Sequence, residues 1–272
     1  MRRALVVLSV ALAAIGAQSI SEDRTVSVGA ATFHIRCEGR RQANNPIVIF
    51  EAGAGDDVLV WRNVQRPTSE FIRTCAYDRL GTGTSTDAPA GLTAAAYPEL
   101  LRRMLESAGE GSPYILVAHS FGGIVAMVYA NAFPSDVLGM VLVDSSHEDQ
   151  ISRFAALPPP PQTARTAAAA PMAMRRAVDA MAFVQLLQAQ PWRGAVPLVV
   201  VTRSPGSFSL DDAGAEARQA LWLELQHDLA TRSPRVQHII VKRSGHYVQT
   251  EEPEAVVEAI RRVFGRVMGL GI

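Results

Sequence analysis

Apolar and polar positions follow two different periods along this chain. Between Thr25 and Arg36 they alternate every second residue, with a break at Gly29-Ala30. That predicts an antiparallel hairpin with strands Thr25–Val28 and Ala31–Arg36. Further on, the apolar runs become continuous: Pro46–Phe50, Thr74–Tyr77, Tyr114–Ala118, Leu138–Asp144, Leu198–Val201 and Val236–Val241. Such runs mark strands buried on both faces. Helical spacing fills the intervals. Trp61, Val64 and Phe71 follow the candidate caps Asp56 and Asp57. Leu101, Met104, Leu105 and Ala108 lie between Pro98 and Gly109. Ile124, Val125 and Val128 precede Pro134, and Trp222, Leu225 and Leu229 share one face. Val256, Ile260, Val263 and Val267 follow Pro253. Proline near a helix start and glycine past its end are the expected punctuation. Strands alternating with helices along the whole chain predict a mainly parallel α/β sheet.

One segment breaks this rhythm. Residues 145–196 carry a Pro158–Pro161 run and are rich in Ala, Met and Gln. An excursion of that length is usually functional rather than a simple connection. Met181, Phe183, Val184, Leu186 and Leu187 predict a packed helix inside it. The segment is read as a helical cap inserted after the sixth strand, with a disordered linker as the alternative.

Composition adds little until the N-terminus is considered. A hydrophobic content of 48% with 20 glycines suits an ordinary globular core. Lys plus Arg equal Asp plus Glu at 26 each, so nothing in the charge suggests a nucleic-acid partner. Arg2 and Arg3 precede an apolar run from Ala4 to Ile15, then Gly16-Ala17 and the polar Gln18-Ser19. This is the build of a secretory signal peptide, residues 1–17, cleaved after Gly16 or Ala17. The run is short for a membrane span, so none is expected in the mature chain; an uncleaved anchor is the alternative. The expected location is periplasmic or secreted. In such a compartment the two cysteines, Cys37 and Cys75, suggest one disulfide; two buried free thiols are the alternative. Neither cysteine has metal-site spacing with histidine, and no metal or cofactor is expected.

The chemistry concentrates at Ala118-His119-Ser120-Phe121-Gly122-Gly123. An apolar strand stops at Ser120, two glycines follow, and a helical pattern begins at once. A serine on so tight a corner is exposed at the sheet end, and the helix N-terminus behind it presents N–H groups and a positive dipole. The pattern is one residue short of G-x-S-x-G, because Ala118 stands at the first glycine. A serine hydroxyl needs a base to take its proton. Of six histidines, His246 in Ser244-Gly245-His246 follows a strand end and precedes a helix. His147, just past another strand end, is its rival. His34 and His238 fall in strands and read as structural.

Four landmarks in order carry a resemblance: Gly53-Ala54-Gly55, Asp78 to Ser85 (Asp-Arg-Leu-Gly-Thr-Gly-Thr-Ser), Ala118–Gly122 and Ser244-Gly245-His246. With them the chain resembles the α/β-hydrolase fold superfamily, as an exported serine esterase or lipase-like member, over nearly everything after residue 17. Two departures stand out: Ala118 for the usual glycine, and Glu51-Ala52-Gly53 where many members have His-Gly. The resemblance implies an eight-stranded, mostly parallel sheet with helices on both faces. Its core would be residues 18–144 and 197–272, with 145–196 as the cap. It implies Ser120 as nucleophile, His246 as base, and the N–H groups of Phe121 and Ala54 as oxyanion donors. The second and fourth strands are neighbours in this fold, which implies a Cys37–Cys75 disulfide.

The acid partner of His246 is open between two places. Asp144 closes a strand next to the serine's, and a carboxylate on a rigid strand end holds an imidazole well. Asp211 and Asp212 lie beyond the following strand, where they could instead cap a helix. Glu148 and Asp149 are nearby alternatives. Glu51 reads as a loop-organising carboxylate bonded to backbone N–H groups, and Asp78 with Arg79 as an internal ion pair or loop clamp. The expected activity is hydrolysis of a small carboxylic ester through an acyl-enzyme. An aminopeptidase or amidase of the same fold is the alternative, and a non-catalytic ligand-binding protein on this scaffold is the other.

Overall fold

Every strand expected from the apolar runs joins one sheet. The computed structural model describes residues 21–157, 177–207 and 214–270. The expected leader, the Pro158–Pro161 run, and Asp211 and Asp212 lie outside the described residues. The strands are β1 (Ser21–Val28), β2 (Ala31–Glu38), β3 (Ile47–Glu51), β4 (Thr74–Tyr77), β5 (Tyr114–His119), β6 (Val137–Val143), β7 (Leu198–Thr202) and β8 (Val236–Ile240). They lie in the order β1-β2-β4-β3-β5-β6-β7-β8. The β1–β2 and β2–β4 pairs are antiparallel and all others parallel.

The hairpin is longer than its alternation suggested. Ser21 to Arg24 pair with Glu38 to Ile35, yet they are polar and face water on an edge strand. An edge strand wetted in this way carries no apolar signal. At the other edge, β8 is half-exposed.

The continuous runs are explained by two cores, one on each face. Successive strand residues point to opposite sides. Ile49, Leu116, Leu142 and Val200 join one core; Phe50, Val117, Val143 and Val201 join the other. The first core is covered by α2 (Tyr97–Ser107), α3 (Phe121–Ala132) and α5 (Ala180–Ala189), the second by α1 (Arg62–Ser69), α7 (Val248–Glu251) and α8 (Pro253–Met268). Two further helices, α4 (Gln150–Ala155) and α6 (Ala215–Leu229), complete the described set. Of the two candidate caps, Asp57 accepts from the Leu59 N–H at 2.8 Å and opens a 3₁₀ turn ahead of α1. Phe71 falls beyond α1 and packs on Phe264 instead.

Cys37 and Cys75 are directly opposed residues of β2 and β4 and form a buried disulfide. Between β6 and β7, α4 and α5 are described parts of segment 145–196. Phe183, Val184 and Leu187 of α5 are buried against the first core. Among the described residues, no helix is long and apolar enough to cross a membrane.

Candidate active site

The apolar run of β5 enters mid-sheet between β3 and β6 and ends where α3 begins. Ser120 is the single residue between them, with φ 52° and ψ −127°. An L-residue rarely adopts that backbone. The turn that follows Ser120 is closely packed. A Cβ on Gly122 would lie 2.5 Å from the carbonyl oxygens of Glu51 and Ala52, and one on Gly123 would lie 1.8 Å from Ser145 Oγ. Ala118 is fully buried and paired with Glu51 and Leu142 in the adjoining strands, where its methyl is accommodated.

The serine corner faces the loop after β8. His246 Nε2 lies 3.0 Å from Ser120 Oγ, and His246 Nδ1 lies 2.6 Å from Asp144 Oδ2. Carboxylates only accept, so Nδ1 carries the proton and Nε2 is left to accept from the serine hydroxyl. Asp144 closes β6 with φ 41° and is fully buried. Its other oxygen accepts from the Trp222 indole N–H at 2.9 Å and the Arg203 backbone N–H at 3.1 Å. The Arg203 guanidinium stacks over Trp222 at 4.4 Å. Burial lowers that guanidinium's proton affinity, and the charge of Asp144 opposes the shift.

The histidine loop has its own supports. His119 Nε2 donates to the His246 carbonyl at 2.9 Å. Glu252 accepts from the N–H groups of Arg243 and Ser244, and Glu251 from that of Gly245. These carboxylates stand at the end of α7, one turn beyond the loop they hold.

Phe121 and Ala54 line one pocket of about 130 Å³, together with Gly55, Leu80, Val178 and Phe183. Phe183 stands edge-on to Phe121 at 6.1 Å and to Tyr97 at 5.5 Å, which brings α5 against the serine corner.

Other residues singled out above are engaged elsewhere. His147 Nδ1 accepts from the Asp149 N–H, and its Nε2 meets Asp228 and Arg232 at 2.9 Å each, so both ring nitrogens are engaged by groups other than Ser120. Glu148 pairs with Arg232 at 2.7 Å. His34 bridges Asp23 and Asp78, and His238 meets Thr202. Asp78 is a loop clamp, accepting from the N–H groups of Val58 and Thr84. It does not pair with Arg79. Arg79 instead pairs with Glu51 at 2.6 Å. The reading of Glu51 as an acceptor of backbone N–H groups is corrected: its partners are side chains, Arg79 and the Tyr77 hydroxyl. A carboxylate this deeply buried needs a cation, and Arg79 supplies it. Helical spacing alone places Trp222 on an apolar face; a buried indole N–H needs an acceptor, and the fold supplies Asp144.

Comparison with known proteins bears on the family and the fold. Residues 48–259 match the model of the Alpha/beta hydrolase family. The uncharacterized protein YqjL of Bacillus subtilis (strain 168) is 25% identical over 242 residues, covering 89% of this chain and 92% of that protein. Among solved structures, a thermophilic esterase from Thermogutta terrifontis superposes with a TM-score of 0.62 at 18% identity, covering 90% of this chain and 99% of its own. A hydrolase from Pseudomonas aeruginosa PA01 gives 0.62 at 20% identity, covering 89% and 98%. At such identities the structural likeness carries the fold.

Proposed function

The chain belongs to the alpha/beta hydrolase family, and we propose that within it this protein is a serine hydrolase that cleaves a small carboxylic ester. One observation carries the reading: the unbroken chain from Ser120 Oγ through His246 to the buried Asp144. Ser120 attacks the ester carbonyl while His246 Nε2 takes its proton. The tetrahedral oxyanion is held by the N–H groups of Phe121 and Ala54. Collapse expels the alcohol, which receives the proton from His246, and water then hydrolyses the acyl-enzyme by the same route. Asp144 keeps the imidazole in the right tautomer and stabilises the imidazolium. Segment 145–196 serves as a cap on the core; among its described residues, Val178 and Phe183 line the pocket beside Phe121.

A periplasmic or secreted location is part of the proposal. The Arg2-Arg3 start with its short apolar run and the disulfide both support it.

The test is incubation with a serine-directed phosphonate beside a short-chain nitrophenyl ester assay. Stoichiometric labelling at Ser120 with loss of turnover is expected, and Ser120→Ala should lower kcat by about 10⁶-fold. Full ester turnover in pure Ser120→Ala would sink the reading. Turnover of aminoacyl amides in preference to esters would move it to an amidase.

A further inference from the structure

Beneath the loop after β3 lies a buried polar cluster that the serine–histidine–aspartate chain does not use. Glu51, Tyr77, Arg79 and Tyr97 are all buried there. Arg79 Nη1 lies 2.6 Å from Glu51 Oε1, and the Tyr77 hydroxyl donates to Glu51 Oε2. Burial pushes the Glu51 carboxyl above its usual range, against the pull of Arg79 and the Tyr77 hydrogen bond. Charges kept so far from water need a full set of partners. The guanidinium finds the rest of its set in the loop, where Nη1 donates to the Ala52 carbonyl and Nη2 to the Gly53 carbonyl.

The consequence follows from peptide geometry. In a planar trans peptide the C=O and N–H point in opposite directions. The Gly53–Ala54 bond is trans. Aiming the Gly53 carbonyl at Arg79 therefore aims the Ala54 N–H away from it. The loop also packs closely on α3: a Cβ on Gly122 would lie 2.5 Å from the carbonyl oxygens of Glu51 and Ala52. Ala54, Arg79 and Phe121 share the wall of one pocket.

We propose that Arg79 is the positioning residue of the oxyanion hole, fixing the Ala54 N–H through the Ala52 and Gly53 carbonyls before substrate binds. Glu51 and Tyr77 hold the guanidinium in that pose. The inference rests on the serine-hydrolase reading and adds the group that preorganises one of its two donors. Donors stabilise a developing oxyanion best when they need not reorganise during the reaction. A planar fork suits the task, because its two nitrogens reach two carbonyls at once, whereas lysine offers one.

The test pairs steady-state ester kinetics with the affinity for an alkyl boronic acid, which adds to the serine as a tetrahedral anion. For Arg79→Lys, kcat should fall about 10²-fold with KM within about threefold, and boronate affinity should fall in parallel. The affinity for the carboxylate product should stay within about threefold, since that species does not present a tetrahedral oxyanion. Glu51→Gln keeps both carbonyl bonds and should lose less kcat than Arg79→Lys. If Arg79→Lys does not fold, Arg79→Met/Glu51→Met removes the buried charges together and should show the same loss in kcat and boronate affinity. The proposal is overturned if a folded Arg79 variant keeps wild-type kcat and boronate affinity, or if its defect lies in KM alone. It is overturned equally if Glu51→Gln is the more damaging change. Wild-type protein that neither turns over the ester nor labels at Ser120 would remove the serine-hydrolase reading itself, and this inference with it.

Discussion

His246 Nδ1 and Asp144 Oδ2 meet at 2.6 Å across 102 residues of chain. The carboxylate that makes this contact has no exposed surface, and its second oxygen is held by Trp222 and the Arg203 backbone. Three donors on one buried carboxylate leave it a single orientation. It was one of two placements open from sequence; the other, Asp211 and Asp212, lies outside the described residues.

Asp144→Asn should therefore lower kcat by about 10⁴-fold, because the amide favours the wrong histidine tautomer. Asparagine tolerates positive φ, so the backbone at φ 41° is undisturbed and the melting temperature should change little. Trp222→Phe keeps the ring and removes one donor, so its loss in kcat should be clearly smaller. Kinetics of the two variants, with circular dichroism as the folding control, check both. Full turnover in Asp144→Asn would show that the acid lies elsewhere.

Gly123→Ala should damage stability and turnover together. The added methyl would meet the Ser145 side chain, which adjoins Asp144, at 1.8 Å. Overpacking of this kind costs about 1–3 kcal/mol, read as a lower melting temperature. Gly111→Ala is the control, since nothing lies within 4 Å of its Cβ position. Equal melting temperatures for the two variants would contradict the argument.

Reduction of Cys37–Cys75, or Cys37→Ser with Cys75→Ser, should destabilise the protein. The bridge closes a sequence separation of 38, for which loop-closure entropy predicts about 4 kcal/mol as an upper figure. Denaturant melts of oxidised and reduced protein measure it. Turnover at room temperature should persist, because the bridge joins β2 and β4, away from Ser120.

His34 should make stability depend on pH in a known direction. Burial works against its charged form, but hydrogen bonds and charge from Asp23 and Asp78 outweigh it and raise its pKa above 6.5. The stabilisation is full below 6.5 and is lost as pH rises through the raised value. Asp23 is exposed and its contribution screened, so at most about 1 kcal/mol is at stake. The melting-temperature gap between wild type and His34→Gln should be widest in acid and narrow on the alkaline side. A gap that widens with pH would refute the assignment.

The parts of this molecule that could be read from sequence are those whose signal is local. Ser120 announces itself through the run before it and the glycines after it, and His246 through a strand end. The strands on which Asp144 and Cys75 lie are apolar runs, so their placement followed. What escaped reading depends on chain segments far apart. Nothing around Glu51 says that its partner is Arg79, 28 residues on, and nothing around Trp222 says that its indole ends on Asp144. The first half of β1 escaped for another reason: Ser21 to Arg24 are held by backbone pairing on a wet edge, which leaves no hydrophobic trace.

The corner at Ser120 also bears on how this protein can change. Its φ of 52° with ψ −127° belongs to a region that glycine enters freely. A side chain there costs about 1–3 kcal/mol, which the surrounding packing must offset. Selection for heat resistance alone would favour glycine at this position and discard the nucleophile. A lineage that keeps the chemistry must find its robustness elsewhere, as in the Cys37–Cys75 bridge between β2 and β4.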